Sequence, residues 1–260
     1  MKFNILGLDI YMYSLTLLVS FLLGIYLFTK EIKKHNIDSK KITDFLFLLI
    51  IFSIIGARIY YVLFTLDYYL QNPIEIIMIN HGGLAIYGGV LAGLGYTIYF
   101  SLKNKINILR MTDTLVVSLI IGQAIGRWGN FFNQEAYGVV TTLEHLQSMF
   151  IPSFVIDNMY ILGEYRIPTF YYESMLNLIG FITIIIIRYK FKNKLNLGML
   201  SSFYLIYYGI VRTIVEGMRT DSLWFLGFRV SQVLSVLLVI LGIVLFIISK
   251  LKIKEKYYAK

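Results

Sequence analysis

Seven apolar stretches of about the length that crosses a bilayer, at ~20 residues each, follow one another along this chain and leave little room for any other architecture. They run over 10–29, 43–66, 82–102, 112–132, 168–188, 197–217 and 230–249. In hydrocarbon every backbone N–H and C=O must be paired within the segment, so apolar runs of this length fold as helices. The chain is 58% hydrophobic with 15% charged residues, against about 25% charged in an average soluble domain. The expected fold class is an all-α membrane protein. It has seven transmembrane helices, a small extracytoplasmic arm or head in the connection 133–167, and residues 1–260 forming a single integral membrane domain.

Charge placement orients the spans. Of 24 Lys and Arg, 17 fall in four stretches, 30–41, 103–110, 188–194 and 250–260. The alternate connections 67–81, 133–167 and 218–229 hold three. The positive-inside rule then places the N-terminus outside and the C-terminus in the cytoplasm. The net charge of +9 therefore reads as topology and attraction to anionic membrane lipid, not as a nucleic-acid surface. The absence of cysteine excludes a disulfide, a thiolate metal site and a cysteine nucleophile. No His/Asp/Glu spacing points to a metal, and nothing calls for a cofactor.

Ionisable groups inside the apolar runs mark function, because an ionised side chain there is expensive unless it pairs or binds. Arg58, Arg127 and Arg212 each lie 15 residues past the start of an ascending stretch, roughly 22 Å along its helix. Three cations at one depth need an anion, and arginine grips phosphate through paired N–H groups. In the fourth stretch Arg127, Asn130, Asn133 and Glu135 lie between Gly126 and Gly138. In the sixth, Tyr208, Arg212, Glu216 and Arg219 are spaced three or four apart, on one helical face. The run His81-Gly-Gly-Leu-Ala-Ile-Tyr87-Gly-Gly is expected to start a helix with N–H groups turned toward an anion.

These residues match a known pattern. Gly126–Gly138 resembles the signature Gly-Arg-x-Gly-Asn-Phe-x-Asn-x-Glu-x-x-Gly of the prolipoprotein diacylglyceryl transferases. Companion matches occur in order at 10–15, 56–58, 82–89, 168–173 and 208–219. The resemblance implies a multi-pass enzyme of the bacterial cell membrane that moves the diacylglyceryl group of phosphatidylglycerol onto the lipobox cysteine of preprolipoprotein signal peptides, releasing glycerol phosphate. By position it places the essential residues at Tyr13, Arg127, Asn130, Glu135, Gly138, Tyr208, Arg212, Glu216 and Arg219. Some members carry a histidine base where this chain has Tyr87, and His81 is not its positional equivalent.

The chemistry so implied gives each residue an expected role. Arg127 and Arg212 bind the phosphate, with Arg58 beside them. Asn130 donates to the headgroup, Glu135 and Glu216 orient the arginines, and Arg219 holds the mouth of the site. The acceptor of the thiol proton is Tyr13, Tyr87, His81 or a carboxylate. A transporter or flippase for an anionic lipid is the rival reading, although the polar groups cluster toward one face. A glycerolipid acyltransferase is a second rival, and the chain lacks a His-x-x-x-x-Asp pair to support it.

Overall fold

The computed structural model describes residues 2–5 and 8–258. A strand pair, β1 (Lys2–Ile5) and β2 (Leu8–Tyr11), leads into α1 (Met12–Ile32). Then come α2 (Ser39–Phe64), a short α3 (Leu66–Gln71), α4 (Ile86–Lys103) and α5 (Ile108–Asn133). The next connection holds β3 (Val140–Thr141), α6 (Leu143–Ser148), α7 (Ser153–Asn158), β4 (Tyr160–Ile161) and β5 (Glu164–Arg166). Last are α8 (Thr169–Lys190), α9 (Met199–Met218), the hairpin β6 (Trp224–Phe225) and β7 (Phe228–Arg229), and α10 (Val230–Leu251).

Five of these helices are long and apolar enough to cross a membrane: α1 with its extension to His35, α2, α5, α8 and α10. The expectation of seven is met for those five. α4 and α9 form over the expected segments but are less apolar. Four glycines and three tyrosines dilute α4, and α9 carries Arg212 and Glu216.

The chain divides into two compact units, 29–112 and the remainder, 1–28 with 113–260. In the first, α2 packs on α4 through facing glycines. A Cβ on Gly56 would stand 2.7 Å from the Gly88 carbonyl oxygen, so only a bare Cα permits this approach. Below that crossing Phe45 of α2 meets Phe100 of α4, ring centres 4.9 Å apart.

In the second unit α9 lies along α10, with Gly209 against the backbone of Ser235. The start of α9 is capped from another helix. Asp113, wholly buried, accepts from the backbone N–H of Gly198 at 2.7 Å and of Ser201 at 2.8 Å. Those are the donors a helix N-terminus leaves unpaired, and a carboxylate also suits its dipole. The C-terminal residues close the same end: the Tyr257 N–H reaches the Leu195 carbonyl at 2.8 Å, and its ring is wholly buried.

The connection 133–167 has its own small core. β3, β5 and β4 form a three-stranded antiparallel sheet in that order. Leu146, Val155, Ile156 and Met159 pack under it against Phe131 of α5 and Phe170 of α8. This core fixes the ends of α5 and α8, the two helices that bring the first ionic groups together.

Candidate functional site

Glu173 of α8, with a side chain 2% exposed, accepts from two guanidinium groups on different helices. Arg127 Nη2 of α5 donates to its Oε1 at 2.7 Å, and Arg212 Nη1 of α9 donates to its Oε2 at 3.2 Å. Arg212 Nη2 also donates to Glu216 Oε2, one turn along α9, at 2.5 Å. Two buried carboxylates thus face two partly exposed cations, so no charge is left unpaired, the condition under which buried ions persist. On both arginines Nε and further N–H groups make no hydrogen bond among the described residues.

The fourth-stretch motif continues this network outward. Arg127 Nη1 reaches Asn130 Oδ1 at a long 3.4 Å, and Asn130 Nδ2 donates to Glu135 Oε1 at 3.1 Å. Glu135 is thus linked to Arg127 through Asn130. Asn133 is exposed at the end of α5. Tyr13 of α1 lies against Gly129, where a Cβ would stand 2.7 Å from its ring. Gly138 is buried between backbones: a Cβ there would stand 2.9 Å from both Ile167 Cβ and the Met218 carbonyl oxygen. The bare Cα lets Gly138 bridge to Arg219, tying the end of α5 to the end of α9.

Arg219 leaves the expected polar stripe, because α9 ends at Met218 and residue 219 is extended. Its guanidinium grips Asp221 with two bonds, Nε to Oδ1 at 2.8 Å and Nη2 to Oδ2 at 2.7 Å. Burial alone would lower the Arg219 value, but its hydrogen bond to Asp221 raises it. That same bond holds the Asp221 carboxyl below the usual carboxylate range. A cavity of about 450 Å³ lies beside this pair, lined by Gln134, Glu135, Ala136, Tyr137, Thr220 and Asp221. Tyr208 stacks on Tyr204, ring centres 5.6 Å apart, and the Tyr204 hydroxyl accepts from Gln123 of α5 at 3.0 Å.

The remaining expected residues belong to the unit 29–112 and are described within it. Arg58 is buried, and every N–H of its guanidinium faces a backbone carbonyl. Nε donates to Ile76 at 2.9 Å, Nη1 to Gly82 at 2.6 Å and Gly83 at 2.8 Å, and Nη2 to Glu75 and Met78. No donor is left for a phosphate, so the expected role beside Arg127 and Arg212 does not fit this geometry. The glycine run likewise turns carbonyls toward a cation, where N–H groups toward an anion were expected. His81 Nδ1 lies 2.9 Å from Glu75 Oε2 on the surface, and Tyr87 opens α4.

Glu173 and Arg229 were not assigned roles from the sequence. The signal for Glu173 was present, since it is the lone charged residue within the apolar interior of 168–188. Arg229 gave none, because it sits in a connection. Its Nη1 donates to the Glu216 carbonyl, and its guanidinium lies 5.1 Å from the Trp224 ring centre.

Comparison with known proteins agrees with this arrangement. A family model described as prolipoprotein diacylglyceryl transferase matches residues 1–248. The phosphatidylglycerol–prolipoprotein diacylglyceryl transferase of Streptococcus mutans is 47% identical over 246 residues, covering 95% of this chain and 93% of the relative. That of Streptococcus pneumoniae serotype 4 is 48% identical, with 95% and 92% covered.

Proposed function

We propose, from the premise that this chain belongs to the prolipoprotein diacylglyceryl transferase family, that it transfers the diacylglyceryl group of phosphatidylglycerol to the thiol of a prolipoprotein. The acceptor is the lipobox cysteine of a bacterial signal peptide. In the reaction a sulfur–carbon bond forms at the glyceryl carbon and the carbon–oxygen bond to phosphate breaks. The electron pair leaves with the phosphate, and the thiol gives up its proton.

The observation that carries this reading is the Glu173 carboxylate holding Arg127 and Arg212 together, with N–H donors to spare. Those donors take the phosphate oxygens and stabilise the charge that grows on them as the carbon–oxygen bond breaks. Because the guanidinium groups are already fixed by Glu173 and Glu216, little reorganisation accompanies the reaction. Asn130 and Asn133 offer amides to the headgroup, with Glu135 fixing Asn130. Gly138 and Arg219 form the rim, and Tyr208 lies one turn before Arg212 on α9, stacked on Tyr204. Arg58 positions the 75–83 loop and does not touch lipid. Of the sequence candidates for the proton acceptor, Tyr13 and the carboxylates are in the same compact unit as the arginines, and Tyr87 and His81 are not.

α4 and α9 complete seven spans with the five apolar helices, the basic connections lie in the cytoplasm, and the N-terminus and site face outward. The test is lipidation of a lipobox peptide by purified protein, read by mass, with phosphatidylglycerol as sole donor. Wild type is expected to add one diacylglyceryl group. Arg127→Ala and Arg212→Ala are expected to fold and insert but to form no product. Near-normal turnover by either would end the phosphate role.

A further inference from the structure

Two β-hairpins in the site-bearing unit repeat an unusual turn. Tyr160-Ile-Leu-Gly-Glu-Tyr165 and Trp224-Phe-Leu-Gly-Phe-Arg229 each pair their strands across two residues, Leu162-Gly163 and Leu226-Gly227. All four turn residues have positive φ: 54° and 84° in the first, 49° and 80° in the second. This is the two-residue turn whose twist suits a hairpin, but its first position ordinarily holds Asn, Asp or Gly. Leucine there is strained, because its Cβ crowds the carbonyl. It is also exposed: Leu162 is 83% and Leu226 82% accessible. Phe150, in the same connection as Leu162, repeats the combination with φ of 55° and 94% exposure. Three large apolar side chains thus violate both the backbone preference and the solvent preference at loop tips. Such joint violations are a mark of functional positions.

The surroundings say what covers them. The Leu226 hairpin joins the C-terminus of α9 to the N-terminus of α10, where a helical pair leaves the hydrocarbon. Its exposed Trp224, Phe225 and Phe228 continue the exposed flank of α10 at Val233, Leu234 and Leu237. Tryptophan beside arginine is the composition of a water–lipid boundary. At its base Arg229 spends one N–H on the Glu216 carbonyl and has further N–H groups without a partner among the described residues.

We infer that these tips enter the headgroup layer of the membrane and that Arg229 is a further contact to the phosphate of an anionic phospholipid on its way to Arg212. The apolar tips hold the rim at the depth of the lipid phosphates. Arg229 then receives a headgroup within a residue of Glu216, whose carboxylate already holds Arg212. The inference rests on the reading that lipid phosphate is captured by Arg127 and Arg212.

The chain has no cysteine, so single labels report cleanly. Leu226→Cys, Leu162→Cys and, as an aqueous reference, Glu144→Cys on the exposed face of α6 would be spin-labelled and placed in nanodiscs containing phosphatidylglycerol. Labels at 226 and 162 are expected to be relaxed more by oxygen than by a water-soluble nickel chelate, opposite to 144. Labels that match 144 would overturn the insertion. Arg229→Gln keeps a polar side chain but removes the charge, and its unfolding temperature, measured alongside, separates lipid binding from folding. It is expected to raise the KM for phosphatidylglycerol about tenfold, the scale of ~1.4 kcal/mol, with kcat within about twofold. An unchanged lipid KM, or a rise confined to the KM for the peptide, would overturn the Arg229 assignment and mark the hairpin as a peptide surface. Turnover by Arg127→Ala would instead sink the underlying reading, while the depth measurement does not depend on turnover.

Discussion

Glu173 and Arg127 close a 2.7 Å ion pair between α8 and α5 while the second oxygen of the same carboxylate reaches Arg212 of α9. One carboxylate therefore sets the spacing of two guanidinium groups that would otherwise repel. Glu173→Gln keeps the shape and loses the charge. Breaking a buried pair in this way costs about 3–5 kcal/mol, so the unfolding midpoint should fall. Activity should drop by about 100-fold or more at every lipid concentration, because the lost alignment is felt as charge builds in the transition state. Separate kcat and KM values from the peptide-lipidation assay check this. A variant of lowered stability but full kcat would show Glu173 to be structural only.

The glycines of the fourth-stretch motif are not equivalent. A Cβ on Gly138 would meet Ile167 Cβ and the Met218 carbonyl at 2.9 Å, whereas the nearest atom at Gly126 is Ser20 Oγ at 3.9 Å. Gly138→Ala should destabilise by about 1–3 kcal/mol, the usual cost of overpacking, and disturb Arg219 across the bridge. Gly126→Ala should be neutral or slightly stabilising, since alanine favours a helix by about 1 kcal/mol over glycine. Thermal unfolding in detergent, with turnover measured alongside, separates the two.

Arg58 offers a test of opposite character. Its donors all go to carbonyls of 75–83, so Arg58→Met should loosen that loop, at about 1.5–3 kcal/mol for each lost bond from a charged donor. The expected signature is a lower unfolding temperature and faster hydrogen exchange over 75–85. The KM for phosphatidylglycerol in the surviving folded protein should change little. A large rise in KM with unaltered exchange would return Arg58 to the lipid site.

The Arg219–Asp221 pair carries a pH dependence with a definite sign. The folded-state value for Asp221 lies below the ordinary carboxylate value, held there first by the hydrogen bond from Arg219. Its stabilisation is thus complete above the unfolded value and is lost as pH falls through the folded one. The stability difference between wild type and Asp221→Asn should be constant near neutrality and shrink below about pH 4. Parallel unfolding curves down to pH 3 would contradict the pairing.

The helical segments were legible because hydrocarbon allows no other backbone solution, and the helices fall within a few residues of the apolar runs. The three arginines do not keep equal positions along their helices. Helix starts at Ser39, Ile108 and Met199 place Arg58 and Arg127 nineteen residues along and Arg212 thirteen. Equal counts came from the chosen edges. Arg127 and Arg212 meet regardless, because α8 supplies Glu173 between them. Helical spacing correctly joined Arg212 to Glu216. It failed for Arg219 because a stripe along a helix has meaning only while the helix lasts. The Arg58 reading failed for a related reason: periodicity shows which face a side chain takes, but not that a loop of carbonyls folds back over it.

The ionic cluster of Arg127, Arg212, Glu173 and Glu216 has as many negative as positive groups before any lipid arrives. Under the proposed function it would hold an anion by directed N–H groups, with little surplus charge. A phosphodiester headgroup carries a single negative charge, while a phosphomonoester product approaches two near neutral pH. A balanced site of this kind favours the first over the second, so free glycerol phosphate is expected to inhibit the proposed transfer only weakly.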